Sequence, residues 1–135
     1  MYIFAFEKLD EVKNGKLTFY KILIDGVCLY DKFCEEVDND KVLSKSMNKI
    51  RTYMNLLAET DCLLPSAKFN SIKLKHKVIG YEFKSDAIRV YVVKKNFDII
   101  VVLGGYKKNQ EKDIKKFVKI TNELENYHLS ICIKS

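Results

Sequence analysis

The chain has 135 residues, a length that fits one domain and leaves no room for two independent cores. Hydrophobic residues make up 47% of the chain, so it can bury a core and is not globally disordered. No apolar run reaches the roughly 18 to 20 residues that a membrane span needs, and the charged N-terminus does not resemble a signal peptide. We therefore expect a cytoplasmic protein with no membrane partner.

Cysteine and histidine are too few and too scattered for a metal centre. No Cys-x-x-Cys pair occurs, and only two histidines are present to complete a zinc site or a catalytic triad. The sequence therefore predicts neither a metal nor a cofactor. The four cysteines are Cys28, Cys34, Cys62 and Cys132, and the two histidines are His76 and His128.

The net charge of +6 is unevenly distributed along the chain. Residues 66–120 hold fourteen basic and five acidic side chains, a net of +9, whereas residues 1–65 are net −2. A basic stretch of this kind favours a polyanionic partner, because neutralising phosphates releases condensed counterions. The competing interpretation is a lysine-rich surface that serves only solubility.

The first half of the chain predicts a hairpin followed by two helices. Met1–Phe6 and Leu17–Ile24 are rich in β-branched and aromatic residues and are separated by a turn signal. Apolar residues at helical spacing begin at Tyr30, and a second amphipathic helix covers about residues 41–59. The apolar face of that second helix consists of Leu43, Met47, Ile50, Met54 and Leu57.

The second half predicts a meander of strands and a closing helix. Strand patterns cover residues 70–76, 78–84, 87–93 and 97–103, a helix covers 112–124, and Leu129–Ile133 forms a final strand. The short breaks between the strands favour antiparallel hairpins. We therefore expect a single α+β domain over residues 1–135, with an antiparallel sheet of about four to six strands and its helices on one face.

The strand period predicts which charged side chains share a face of the sheet. Glu82 and Lys84 share one face, and Lys73, Lys75 and Lys77 lie together on theirs. Arg89 lies among apolar strand residues, where burial is costly unless it faces solvent or pairs with an acid. A Glu82–Arg89 or Glu82–Lys84 surface pair is the structural alternative to a functional role.

A second patch follows the last central strand. Gly104 and Gly105 allow close approach of the backbone to a ligand, and Lys107 and Lys108 follow directly. A helix beginning near Lys112 would add free N–H groups to an anion site. The spacing of a phosphate-binding P-loop is absent.

These motifs resemble the RelE/HigB toxin superfamily, in particular its phage-derived branch. The matching segments are 81–84 (Tyr-Glu-Phe-Lys), 88–92 (Ile-Arg-Val-Tyr-Val) and 99–110 (Ile-Ile-Val-Val-Leu-Gly-Gly-Tyr-Lys-Lys-Asn-Gln). The similarity covers about residues 20–124 and is strongest over 80–119. On this basis residues 1–135 form a RelE/HigB-like domain with an N-terminal hairpin extension and an extra C-terminal strand.

The resemblance implies a ribosome-dependent endoribonuclease that cuts mRNA by attack of the 2′-hydroxyl and is inhibited by a small helix-turn-helix antitoxin. It assigns Lys84, Arg89 and Lys107 to catalysis, and Glu82 is the candidate base. The Lys-x-Lys pair of RelE corresponds here to Gly80 and Glu82, and its tyrosine in the last helix corresponds to Asp113. The predicted RNA-binding residues are Lys73, Lys75, Lys77, Lys108, Lys112 and Lys115.

Two other functions stay open at this point. The departures from the RelE pattern favour a non-catalytic module on the same fold that binds RNA, the ribosome or an antitoxin-like peptide. A third interpretation, inhibition of DNA gyrase as in the ParE branch, is less favoured, because the Lys-Lys-x-Gln segment and Arg89 agree better with the RNA-cleaving branch.

Overall fold

Six strands and three helices make up the described part of the chain. The computed structural model describes residues 2–62, 64–65, 68–74 and 78–125. The predicted α+β class is confirmed, and the predicted strand Leu129–Ile133 lies outside the described residues. The elements are β1 (Phe4–Lys8), β2 (Thr18–Ile24), α1 (Leu29–Asp38), α2 (Lys41–Thr60), β3 (Phe69–Ile72), β4 (Ile79–Ser85), β5 (Ile88–Lys95), β6 (Asp98–Tyr106) and α3 (Gln110–Glu125), with a 3₁₀ turn at Lys107–Asn109.

The sheet is mixed, so the prediction of a wholly antiparallel sheet was wrong. The strand order is β1-β2-β6-β5-β4-β3, and β2 runs parallel to β6, with Thr18 beside Asp98. All other neighbours are antiparallel. The parallel pair forms because β2 and β6 are joined by two helices and three strands, a connection long enough to cross the sheet.

The helices cover both faces of the sheet, which corrects the prediction of helices on one face. Helices α1 and α2 pack on the side that carries Val90 and Val92. Helix α3 packs on the opposite side, where its Phe117 ring lies 5.8 Å from the ring of Tyr91. The reason is that β5 is apolar on both faces, and a strand of this kind must be covered twice.

Helix α2 forms where the amphipathic pattern predicts it. The Asp40 side chain caps its N-terminus by accepting hydrogen bonds from the backbone N–H groups of Val42 and Leu43, both at 2.9 Å. Asp61, with φ of 51°, ends the helix in the left-handed region. None of the helices within the described ranges is long and apolar enough to cross a membrane.

The two glycines of β6 accommodate side chains of the chain itself. A Cβ added at Gly104 would collide with the ring of Phe33 from α1, and one at Gly105 would collide with the carboxylate of Asp113 from α3. The space beside Gly104 and Gly105, where a ligand was expected to approach the backbone, is thus filled by the side chains of Phe33 and Asp113 on opposite faces of β6.

We expect Gly104→Ala to destabilise the protein by about 1 to 3 kcal/mol, since the buried Phe33 ring cannot move aside without strain elsewhere in the core. Urea unfolding of the wild type, Gly104→Ala, Phe33→Leu and the double variant measures the effect. The double variant should lose less stability than the two single losses added together. A Gly104→Ala variant as stable as the wild type would contradict the assigned packing.

Candidate functional site

The predicted catalytic residues of the β4–β5 hairpin lie on its α3 side. In the strand register Glu82 lies opposite Tyr91, and Lys84 lies opposite Arg89. Glu82 and Lys84 therefore share a face, as the strand period predicts. The Glu82–Arg89 pair, one of the two surface pairs considered as the structural alternative, is not formed, since no ion pair within 4.0 Å joins these two residues.

Arg89 is buried and bound to the backbone of the β4–β5 turn. Its side chain is 7% exposed, and Nη1 donates hydrogen bonds to the carbonyl oxygens of Asp86 (2.9 Å) and Ile88 (2.8 Å). Its Nε is also buried and has no hydrogen-bond partner among the described residues. In this conformation the guanidinium stabilises the turn, while its buried Nε donor is unused.

Glu82 is buried beneath the first turn of α3. The residue is 5% exposed, and Gln110 Nε2 donates to both carboxylate oxygens, at 3.0 and 2.9 Å. Helix α3 begins at Gln110 rather than near Lys112, and this earlier start brings the amide over the hairpin. Sequence reasoning missed Gln110, and its only signal was the amide pair that follows the two lysines.

Tyr91 and Asp113 complete a group that we call the buried polar cluster. Tyr91 is fully buried, and its hydroxyl has no partner in the described part of the chain. Burial raises the pKa of Tyr91; the nearby Glu82 and Asp113 raise it further, whereas Arg89 lowers it. Desolvation also raises the pKa of the Asp113 carboxyl. The buried polar cluster consists of Glu82, Arg89, Tyr91, Gln110 and Asp113.

Exposed lysines follow the end of β6 and continue along α3. Lys107 and Lys108 belong to the 3₁₀ turn, and the backbone N–H of Lys107 donates to the Ala87 carbonyl at 2.7 Å, which places this turn beside the β4–β5 turn. Lys115 is 79% exposed and lies 4.0 Å from Glu111. We call these four exposed lysines the basic surface: Lys107, Lys108, Lys112 and Lys115.

Of the three lysines predicted to share a strand face before β4, Lys73 alone lies among the described residues. Strand β3 ends at Ile72, so Lys73 lies beyond it and is exposed. Lys75 and Lys77 lie outside the described residues, as does His76.

The basic surface is exposed to solvent, whereas Glu82 and Arg89 of the buried polar cluster are not. The lysines of the basic surface are exposed, and exposed lysines are the side chains that neutralise phosphate groups of nucleic acids. Chemistry at Glu82 requires Gln110, in the first turn of α3, to move away from the carboxylate, and chemistry at Arg89 requires the guanidinium to leave the two carbonyls that it binds. Within the described ranges no group of three or more His, Cys, Asp and Glu residues could hold a metal ion.

Comparisons of this chain with protein-family models, curated proteins and solved structures give no match. The resemblance to the RelE/HigB superfamily therefore depends on the short motifs of residues 81–110.

Replacing Gln110 tests the buried polar cluster. We expect Gln110→Ala to lower the free energy of unfolding by about 1 to 3 kcal/mol, because the buried Glu82 carboxylate loses its hydrogen-bond donor. Asn109→Ala is the matched control, since Asn109 is exposed and lies one residue earlier. Equal unfolding midpoints for the two variants would rule out a stabilising role for the Gln110–Glu82 contact.

Proposed function

We propose that the chain is a toxin of a type II toxin–antitoxin pair, a ribosome-dependent endoribonuclease that cleaves mRNA in the cytoplasm. The observation that supports this best is the position of the basic surface. Lys107 is hydrogen-bonded through its backbone to the same β4–β5 turn that Arg89 stabilises. An RNA strand bound to the lysines would therefore pass beside the residues that the resemblance assigns to catalysis.

The proposed reaction is attack of a ribose 2′-hydroxyl on the adjacent phosphorus. Glu82 accepts the hydroxyl proton, Arg89 and Lys107 neutralise the developing phosphorane charge, and Lys84 donates a proton to the departing 5′-oxygen. The products are a 2′,3′-cyclic phosphate and a 5′-hydroxyl. Because Glu82 and Arg89 are buried, binding to the ribosome must first displace the first turn of α3.

The proposed partners are mRNA on the ribosome and a small helix-turn-helix antitoxin. An antitoxin that covers the basic surface would prevent RNA from binding there. Such a protein, encoded beside this chain, would support the proposal.

The second candidate function is a non-catalytic RNA-binding module on the same fold. Burial favours it: Arg89 is 7% exposed and bound to two carbonyls, and Glu82 is 5% exposed and covered by Gln110. A protein that only binds RNA needs the exposed lysines and no rearrangement of α3.

Expression without an antitoxin distinguishes the two functions. We expect growth arrest, with transcripts cut within codons, and we expect purified protein to cleave RNA only when ribosomes are present. Normal growth with intact transcripts, at verified protein levels, would favour the binding module.

Arg89→Lys should fold yet cleave about 100- to 1000-fold more slowly, because lysine lacks the two-pronged contact with a phosphate.

The salt dependence of RNA binding tests the basic surface independently of cleavage. We expect Lys115→Ala to weaken binding modestly and to reduce the slope of log K against log salt by about one, the contribution of one phosphate contact. Lys16→Ala is the matched control, since Lys16 is exposed and precedes β2, near the opposite end of the sheet. Equal slopes for the two variants would remove Lys115 from the RNA contact.

A further inference from the structure

A cleft opens at the end of the sheet, beside the basic surface. Its volume is about 750 Å³, and its lining residues are Asp86, Ala87, Tyr106, Lys107 and Lys108. The cleft thus combines an aromatic ring and a methyl group with two lysines and one carboxylate. Neither the sequence motifs nor the proposed reaction gives Tyr106 a role.

The Tyr106 ring is held in place from one side. It packs edge-on against Phe33 of α1, with ring centroids 5.3 Å apart and planes at 69°. Burial raises the pKa of Tyr106, and an interaction with the Glu36 carboxylate raises it further. Lys108 Nζ lies over the ring, 5.8 Å from its centroid. Lys108 therefore covers a face of the Tyr106 ring on which a flat ligand could stack in place of the lysine.

The opposite wall of the cleft is also held. The Asp86 carboxylate accepts a hydrogen bond from Ser46 Oγ at 2.9 Å and pairs with Lys49 Nζ at 3.5 Å, which attaches the β4–β5 turn to α2. The Arg89 guanidinium binds the Asp86 carbonyl from the other side. Binding in this cleft would then cost little ordering of the backbone.

We infer that this cleft binds one nucleotide of single-stranded RNA, with its base stacked on Tyr106 and its phosphates on Lys107 and Lys108. The inference rests on the proposed function and adds to it the site of base contact. An aromatic face flanked by cations is the usual platform for an unpaired base. Base stacking replaces Lys108 over the ring and frees its ammonium group for the phosphate.

The charges around the ring favour a base over an acidic peptide. Asp86 and Glu36 border Tyr106 and would repel carboxylates of a partner. The same carboxylates can accept hydrogen bonds from the amino groups on the edge of a base. An acidic peptide that competes for this cleft is therefore an outcome that counts against the inference.

The test uses a fluorescent base in a short RNA. A uridine hexamer carrying one 2-aminopurine is titrated into the full-length protein, and affinity is followed by anisotropy while stacking is followed by quenching of 2-aminopurine. We expect quenching with the wild type and with Tyr106→Phe. Tyr106→Leu should bind about tenfold more weakly and show no quenching at saturation. Lys107→Ala should bind more weakly but keep the quenching at saturation.

A second variant covers the case in which Tyr106→Leu fails to fold. Ala87→Leu changes an exposed turn residue and fills the space that the base would occupy, so it too should weaken binding and abolish quenching. If these two variants bind and quench like the wild type, the base does not stack on Tyr106, while RNA binding itself stands. If the wild type binds no RNA, or binds an acidic peptide in this cleft instead, the inference is overturned, whereas the proposed function is overturned only if the ribosome-dependent cleavage described above is also absent.

Discussion

The central strands β5 and β6 carry apolar side chains on both faces, and the rest of the fold follows from this constraint. Val90 and Val92 require cover on one side, and Tyr91 and Val93 require it on the other. Helices α1 and α2 supply the first layer and α3 supplies the second. Because α3 has to cross the second face directly after β6, its first residues come to lie over the β4–β5 hairpin.

That crossing explains why charged groups are buried at one end of the sheet. Gln110 lies over Glu82, and the carboxylate of Asp113 lies over Gly105, the cross-strand neighbour of Arg89. Among the described residues neither charge has the ionic partner that usually offsets burial; the Gln110 amide binds Glu82, and two backbone carbonyls bind Arg89.

The sequence predicted which segments form helices and strands better than it predicted which strands pair with one another. The helical spacing from Leu43 to Leu57 predicted α2 to within one residue, because apolar periodicity reports the buried face directly. The parallel pairing of β2 with β6 was not predictable, since periodicity identifies a strand but not its neighbour. The continuous apolar run from Val90 to Val93 did carry the signal for cover on both faces. The partners of Arg89 are backbone carbonyls, which no residue pattern reveals.

The β4–β5 turn connects the two proposed sites, and this affects how substitutions there are interpreted. Arg89 lies in the buried polar cluster, yet it binds the carbonyl of Asp86, whose side chain borders the cleft at Tyr106. Loss of Arg89 would therefore loosen the wall of the base site as well as remove a charge from the cluster. A fall in cleavage at Arg89 identifies a catalytic role only where base stacking on Tyr106 is unchanged in the same variant. Under the proposed function, stacking on Tyr106 and charge at Arg89 are thus two contributions at one end of the sheet that these paired measurements separate.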